Sequence, residues 1–147
     1  MHTTLISAEQ LLDLKAGGAP SMIFDCTFDL MQPEAGFHAL LAGEELVGFR
    51  SFGVDGQVPG WDYDDSALDT GGGLRPSLTG QGLGRAVISA GLDHGRAKFA
   101  PAAFRVTVAS FNARARRVVE SLGFERVGSF EAARDGRTFN VMVKRET

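Results

Sequence analysis

The chain is poor in the residue types that most directly announce a chemistry. Its 147 residues include one cysteine, Cys26, so no disulfide can close within it, and a disulfide-stapled secreted scaffold does not fit. The three histidines, His2, His38 and His94, lack the spacing of metal ligands, and no metal is expected. No apolar run approaches the roughly 20 residues that cross a bilayer. No basic-then-apolar leader opens the sequence, so the expectation is a cytoplasmic protein with no membrane partner. An excess of one charge is also missing, since 15 Lys and Arg face 18 Asp and Glu for a formal net charge of −3. That balance argues against nucleic acid as a partner.

What is present is an ordinary globular composition, 44% hydrophobic and 22% charged, at a length that fits one domain over residues 1–147, as a monomer or a homodimer. Glycine is the unusual component, and it gathers in one stretch. Gly71, Gly72 and Gly73 precede Leu74, and Gly80, Gly82 and Gly84 follow Pro76 and lead into a helical pattern. Strand, glycine loop, helix is the order in which bare backbone N–H groups at a helix start hold an anion, above all phosphate. The Gly-x-Gly-x-Gly spacing from Gly80 is neither a dinucleotide fingerprint nor a Walker loop.

The rest of the chain supplies a mixed pattern. Ser7 before Ala8–Lys15 predicts a short capped helix, and Met22–Glu34 reads as a helix or an irregular lip. Phe37–Ala42 and Glu45–Phe52 predict a hairpin, and Gly53–Ser66 an exposed acidic connection carrying Trp61 and Tyr63. A central strand follows over Ala67–Leu74. Ala86–Lys98 is a helix with Val87, Ile88, Leu92 and Ala97 on its apolar stripe. Phe104–Ala109 is a strand, and Ala113–Leu122 a helix stopped by Gly123. Phe124–Phe130 and Thr138–Lys144 form a last hairpin across Asp135-Gly136.

Leu74-Arg-Pro-x-x-Thr-Gly-Gln-Gly-Leu-Gly-Arg85, then Phe111-Asn-x-x-Ala115 and Leu122-Gly-Phe124, together resemble the GNAT acyl-CoA N-acyltransferase superfamily over about residues 36 to 145. The resemblance implies an α/β (α+β) fold, a mostly antiparallel twisted sheet splayed at an acetyl-CoA cleft and flanked by helices. It implies acetyl-CoA as co-substrate, a primary amine of a small molecule or protein N-terminus as acceptor, and N-acetyl transfer. A GNAT-fold CoA-binding sensor with little transfer is the alternative.

Carried over residue by residue, the cofactor would be held by Leu74, Thr79, Gly80, Gln81, Gly82, Leu83, Gly84 and Arg85, with Thr79 in place of the usual Arg or Gln. Asn112 would contact the cofactor or cap the next helix, and Arg114, Arg116 and Arg117 would meet a phosphate or form a solvated face. A backbone N–H near Leu74 would receive the oxyanion. The family's usual acid, a tyrosine seven residues after the asparagine, is Val119 here, which leaves water, Ser110 or Ser121 for that task. Asp69, on the central strand, is the candidate base or else a structural acceptor. The carboxylates Asp62, Asp64, Asp65 and Asp69 around Trp61 and Tyr63 suggest attraction of a cationic amine.

Overall fold

The computed structural model describes residues 2–5, 37–42, 45–74 and 83–146, with side chains at 48–54, 56–73 and 83–146. The predicted helix at 8–15, the segment 22–34 and loop residues 79–82 lie outside the described residues. Strand β1 (His2–Leu5) was not expected from the sequence. It pairs antiparallel with β2 (Phe37–Ala42), which forms the predicted hairpin with β3 (Glu45–Phe52). A 3₁₀ turn, Gly53–Gly56, then opens the connection to β4 (Leu68–Leu74). Helix α1 (Gly84–Phe99), strand β5 (Ala103–Ala109), helix α2 (Ala113–Ser121) and strands β6 (Glu125–Glu131) and β7 (Thr138–Arg145) complete the order.

The strands form one sheet in the order β1-β2-β3-β4-β5-β7-β6, parallel only between β4 and β5. Parallel neighbours need a crossover, and α1 supplies it. That pairing is short, with Leu68 opposite Phe104 and Asp69 opposite Arg105 and nothing further along. Beyond Asp69, β4 stays paired with β3 as far as Gly48–Leu74, and β5 stays paired with β7 as far as Ala109–Phe139. The two strands therefore part at mid-sheet, as the family resemblance implied, and backbone groups on the inner edge of β4 from Thr70 onward have no strand beside them.

Both helices cover the same face. Phe104, Val106 and Val108 of β5 and Met142 of β7 meet Leu92 of α1, Val119 of α2 and Phe124 in a buried apolar cluster. The stripe on α1 differs from the predicted one, because Ala97 is exposed and the buried positions are Val87, Gly91, Leu92 and Gly95. Hydrophobic periodicity cannot register a glycine chosen for closeness. At Gly95 a Cβ would lie 2.8 Å from Cε1 of Phe104, so only a bare backbone lets α1 approach this ring.

The opposite face is covered by the connection from 57 to 67, which is packed rather than freely exposed. Tyr63 Oη contacts Thr107 Oγ1 at 3.0 Å, donates to the Val58 carbonyl and accepts from the Val58 N–H. Trp61 packs on Phe130 with ring centroids 5.7 Å apart, and Phe130 stacks on Phe139. Among the described residues, no helix is long and apolar enough to cross a membrane.

Candidate active site

The site follows from where β4 and β5 part. A cavity of about 780 Å³ runs from the start of α1 to the open edge of β4, between Gly84, Arg85 and Val87 on one side and Asn112, Arg114 and Arg117 on the other. A second, of about 420 Å³, lies between the parted strands and reaches Phe111, Arg134 and Arg137. Arg50, Gly72, Ile88, Asn112 and Ala115 border both, so the two cavities meet beside them.

Several groups at the mouth of the first cavity suit a polyanionic ligand. Helix α1 begins without a side-chain cap at Leu83 and with no acidic residue in its first turn, leaving its N-terminal amides and dipole to a ligand. Arg85, the next residue but one, reaches across to α2, where Nη1 donates to Ser121 Oγ at 2.8 Å and neutralises the carbonyl end of that helix. Arg114 and Arg117 line the same cavity and add two more cations. Of the motif residues, Leu83, Gly84 and Arg85 stand at this mouth, Thr79–Gly82 are outside the described residues, and Leu74 ends β4 opposite Gly48. This arrangement fits the phosphates and linear arm of a coenzyme A thioester.

Asn112 performs the cap, its Oδ1 accepting from the Ala115 N–H at 3.1 Å. It also borders both cavities, and its amide nitrogen has no partner among the described residues. Capping and ligand contact are thus compatible in one side chain.

Asp69 requires a correction. It is 4% exposed and borders neither cavity. Its oxygens accept from Arg105 Nε and Nη2, both at 2.7 Å, and Oδ2 accepts again from Gln57 Nε2 at 2.9 Å. A carboxylate held bidentate by a buried guanidinium and bordering neither cavity is poorly placed to take a substrate proton. It fastens β4 to β5 at the point where they part, and its hydrogen bonds to Arg105 raise that guanidinium's pKa further. In the acidic connection, Asp64 is likewise turned to structure. Asp64 accepts from Ser66 and then from Arg105, which together hold its carboxyl below the usual range. The ionisable residues bordering the second cavity are Arg50, Arg134, Asp135 and Arg137, so no acidic lip faces it among the described residues.

The acid's position is apolar as expected. Val119 is 2% exposed and belongs to the core cluster. The suggested replacements are occupied elsewhere, since Ser110 Oγ donates to Asn140 Oδ1 at 3.0 Å and Ser121 Oγ donates to the Val118 carbonyl at the far end of α2.

Sequence reasoning passed over Arg50. It sits in β3 opposite Gly72, is 5% exposed, and its Nη2 donates to Thr70 Oγ1 at 3.0 Å while Nε has no partner. Its stem passes under α1 at Gly91, where a Cβ would lie 2.9 Å from Arg50 Cγ. Gly72, at φ +151°, clears the other side, because a Cβ there would overlap the Phe49 carbonyl and come within 3.0 Å of Arg50 Cδ. Part of the glycine run thus serves an arginine as well as the cleft. The signal available in advance was a lone cation inside an otherwise apolar strand, Leu46-Val-Gly-Phe-Arg-Ser-Phe52.

A sheet opened between two adjacent parallel strands, with a cationic helix start at its mouth, defines the GNAT fold. The chain belongs to the acetyltransferase (GNAT) family, whose model matches residues 8–124. Among curated proteins none matches the sequence. Among solved structures, it is similar to a chimera of spermidine N-acetyltransferase from Vibrio cholerae and hSSAT (15% identity, 99% of this chain and 96% of that one, TM-score 0.75). It is similar also to the aminoglycoside acetyltransferase AAC(6')-Ib in complex with coenzyme A (19%, 99% and 94%, 0.74). An acetyltransferase (GNAT family) from Bacillus anthracis aligns over 75% of this chain and 66% of that one, at 19% identity and a TM-score of 0.59. At these identities the likeness is one of fold.

Proposed function

We propose that this protein is an N-acetyltransferase that carries the acetyl group of acetyl-CoA to a primary amine, on a small molecule or a protein N-terminus. The observation that carries the reading is the open inner edge of β4 from Thr70 to Leu74, continuous with the cavity that ends at the start of α1. Acetyl-CoA supplies an acyl group already activated as a thioester. The chain's part is to hold the phosphates at Leu83–Arg85 and the preceding glycines, to align the arm on β4, and to bring an amine to the meeting of the two cavities. Related folds solved with coenzyme A, in one case together with ribostamycin, support a coenzyme A thioester and an amine as the ligands. With Asp69 bound to Arg105, the amine's proton is left to water.

Hydrogen exchange tests the binding step. Saturating acetyl-CoA should slow the amides of Gly80–Val87 and of Thr70–Leu74, and Gly82→Val should abolish the effect by crowding the pyrophosphate. Unchanged exchange would overturn the assignment. Thioester consumption with a panel of amines separates a transferase from a CoA sensor, the reading favoured by the valine at 119 if no amine is acetylated.

A further inference from the structure

We propose that Arg50 is the group that holds the negative charge left on the coenzyme A sulfur when the acetyl group is transferred, a task for which the chain has no tyrosine at Val119. The inference rests on the acetyl-CoA reading and adds to it a residue in β3, outside every motif that pointed to the family.

Three observations place Arg50 there. It borders both cavities, whose shared border is where a donor entering from α1 and an acceptor entering between the strands must meet. It is a buried cation without a carboxylate partner, since among the described residues its side chain bonds only to Thr70 Oγ1, and Nε bonds to nothing. An uncompensated internal charge is costly, and a ligand anion would supply the missing partner. It is also oriented on purpose, because Gly72 and Gly91 both yield the space that its stem occupies and Thr70 anchors the guanidinium. Burial lowers its pKa to about 10, which leaves it charged at neutral pH. Among the described residues, the nearby hydroxyls are engaged, Thr70 with Arg50 itself and Thr107 with Tyr63. Tyr63 is committed on the other face, and Ser110 and Ser121 bond elsewhere.

In the transfer, the amine nitrogen forms its bond to the thioester carbonyl carbon and the C–S bond breaks with its electron pair on sulfur. The resulting thiolate is paired with the Arg50 guanidinium, which donates hydrogen bonds and keeps its own protons. The proton released by the new amide nitrogen goes to water. A guanidinium therefore does by charge what a phenol would do by proton transfer.

The test needs no acceptor. Wild-type protein, Arg50→Met and Arg50→Lys are titrated with coenzyme A and with desulfo-coenzyme A between about pH 6 and 9, across the ordinary thiol range. Thiolate formation by bound coenzyme A is followed by its ultraviolet absorbance. Wild type should lower the bound thiol's pKa by about one unit or more, so that coenzyme A gains about tenfold in affinity over desulfo-coenzyme A across the range. Arg50→Met should erase that gain, read as the ratio of the two affinities, and Arg50→Lys should keep part of it. The other ionisable groups of the two cavities, Arg85, Arg114 and Arg117 in one and Arg134, Asp135 and Arg137 in the other, act on the phosphates of both ligands alike and on the thiolate alike in wild type and Arg50→Met, so the difference between those two proteins belongs to Arg50. If Arg50→Met does not fold, Thr70→Val, which frees the guanidinium from its anchor, should shrink the gain. Coenzyme A binding with a thiol pKa indifferent to both substitutions overturns the role of Arg50 alone. Wild-type protein that binds no coenzyme A overturns the acetyl-CoA reading and this inference with it.

Discussion

Asp69 and Arg105 are each 4% exposed in side chain, and without Arg105 the Asp69 carboxylate would be a stranded charge, while without Asp69 the guanidinium would keep only the exposed Asp64. Asp69→Ala should cost about 3–5 kcal/mol in denaturant unfolding, because it removes one partner of a buried pair. Asp69→Ala with Arg105→Met should recover much of that loss, whereas a catalytic carboxylate would show its loss in turnover and little in stability. His94, its ring tilted against Phe52 with centroids 5.5 Å apart, is pushed below its ordinary pKa by burial and then by Lys98. The folded chain thus binds fewer protons than the unfolded one just below the unfolded histidine value of about 6.5. Stability is full above that pH and falls as pH is lowered through it. Unfolding measured from about pH 8 to 5 should show this slope, and His94→Gln should flatten it. Identical curves for the two proteins would remove His94 from the account.

At the scale of elements, α1 and α2 hold the site through their starts and their contact with the sheet. Asn112→Ala removes the cap of α2 and should cost about 1 kcal/mol. Its amides Ala113–Ala115 should exchange faster, and acetyl-CoA should bind more weakly because Asn112 borders both cavities. Normal affinity with a frayed helix would assign Asn112 to capping alone. For α1 the decisive contact is Gly95. Alanine is the better helix former by about 1 kcal/mol. Even so, Gly95→Ala should lower stability by about 1–3 kcal/mol, since its methyl would lie 2.8 Å from the Phe104 ring and 3.0 Å from Phe52. A more stable Gly95→Ala protein would show that the helix lifts off the sheet without cost.

For the molecule as a whole, the parted sheet is a place where pairing is forgone for a ligand, so the ligand should restore stability. Acetyl-CoA at about one hundred times its Kd should add about 2.7 kcal/mol to unfolding, seen as a Tm rise of about 9 degrees. Because Arg85, Arg114 and Arg117 surround the mouth of the first cavity, the rise should shrink as salt screens them. A ligand without phosphates should show no such salt dependence. A Tm indifferent to acetyl-CoA would leave the open β4 edge without an occupant.

The sequence by itself determined the elements whose signals are local. Alternation set β5 and β7, Asp135-Gly136 turned the last hairpin, Asn112 and Gly123 bounded α2, and the glycines with Asn112 and Leu122-Gly-Phe124 marked the family. What it could not contain was the direction each side chain takes once strands distant in the chain become neighbours. Asp69 looks like a free carboxylate until Arg105, 36 residues on, stands opposite it. Arg50 looks like an accident in a strand until Thr70, Gly72 and Gly91 are brought around it from β4 and α1. The acidic connection looks solvated until Trp61 and Tyr63 reach the far face of the sheet. Local pattern reports periodicity and turn chemistry, which are properties of neighbours in sequence. Charge pairing, burial and the meeting of cavities are properties of neighbours in space, and these the tertiary structure alone decided.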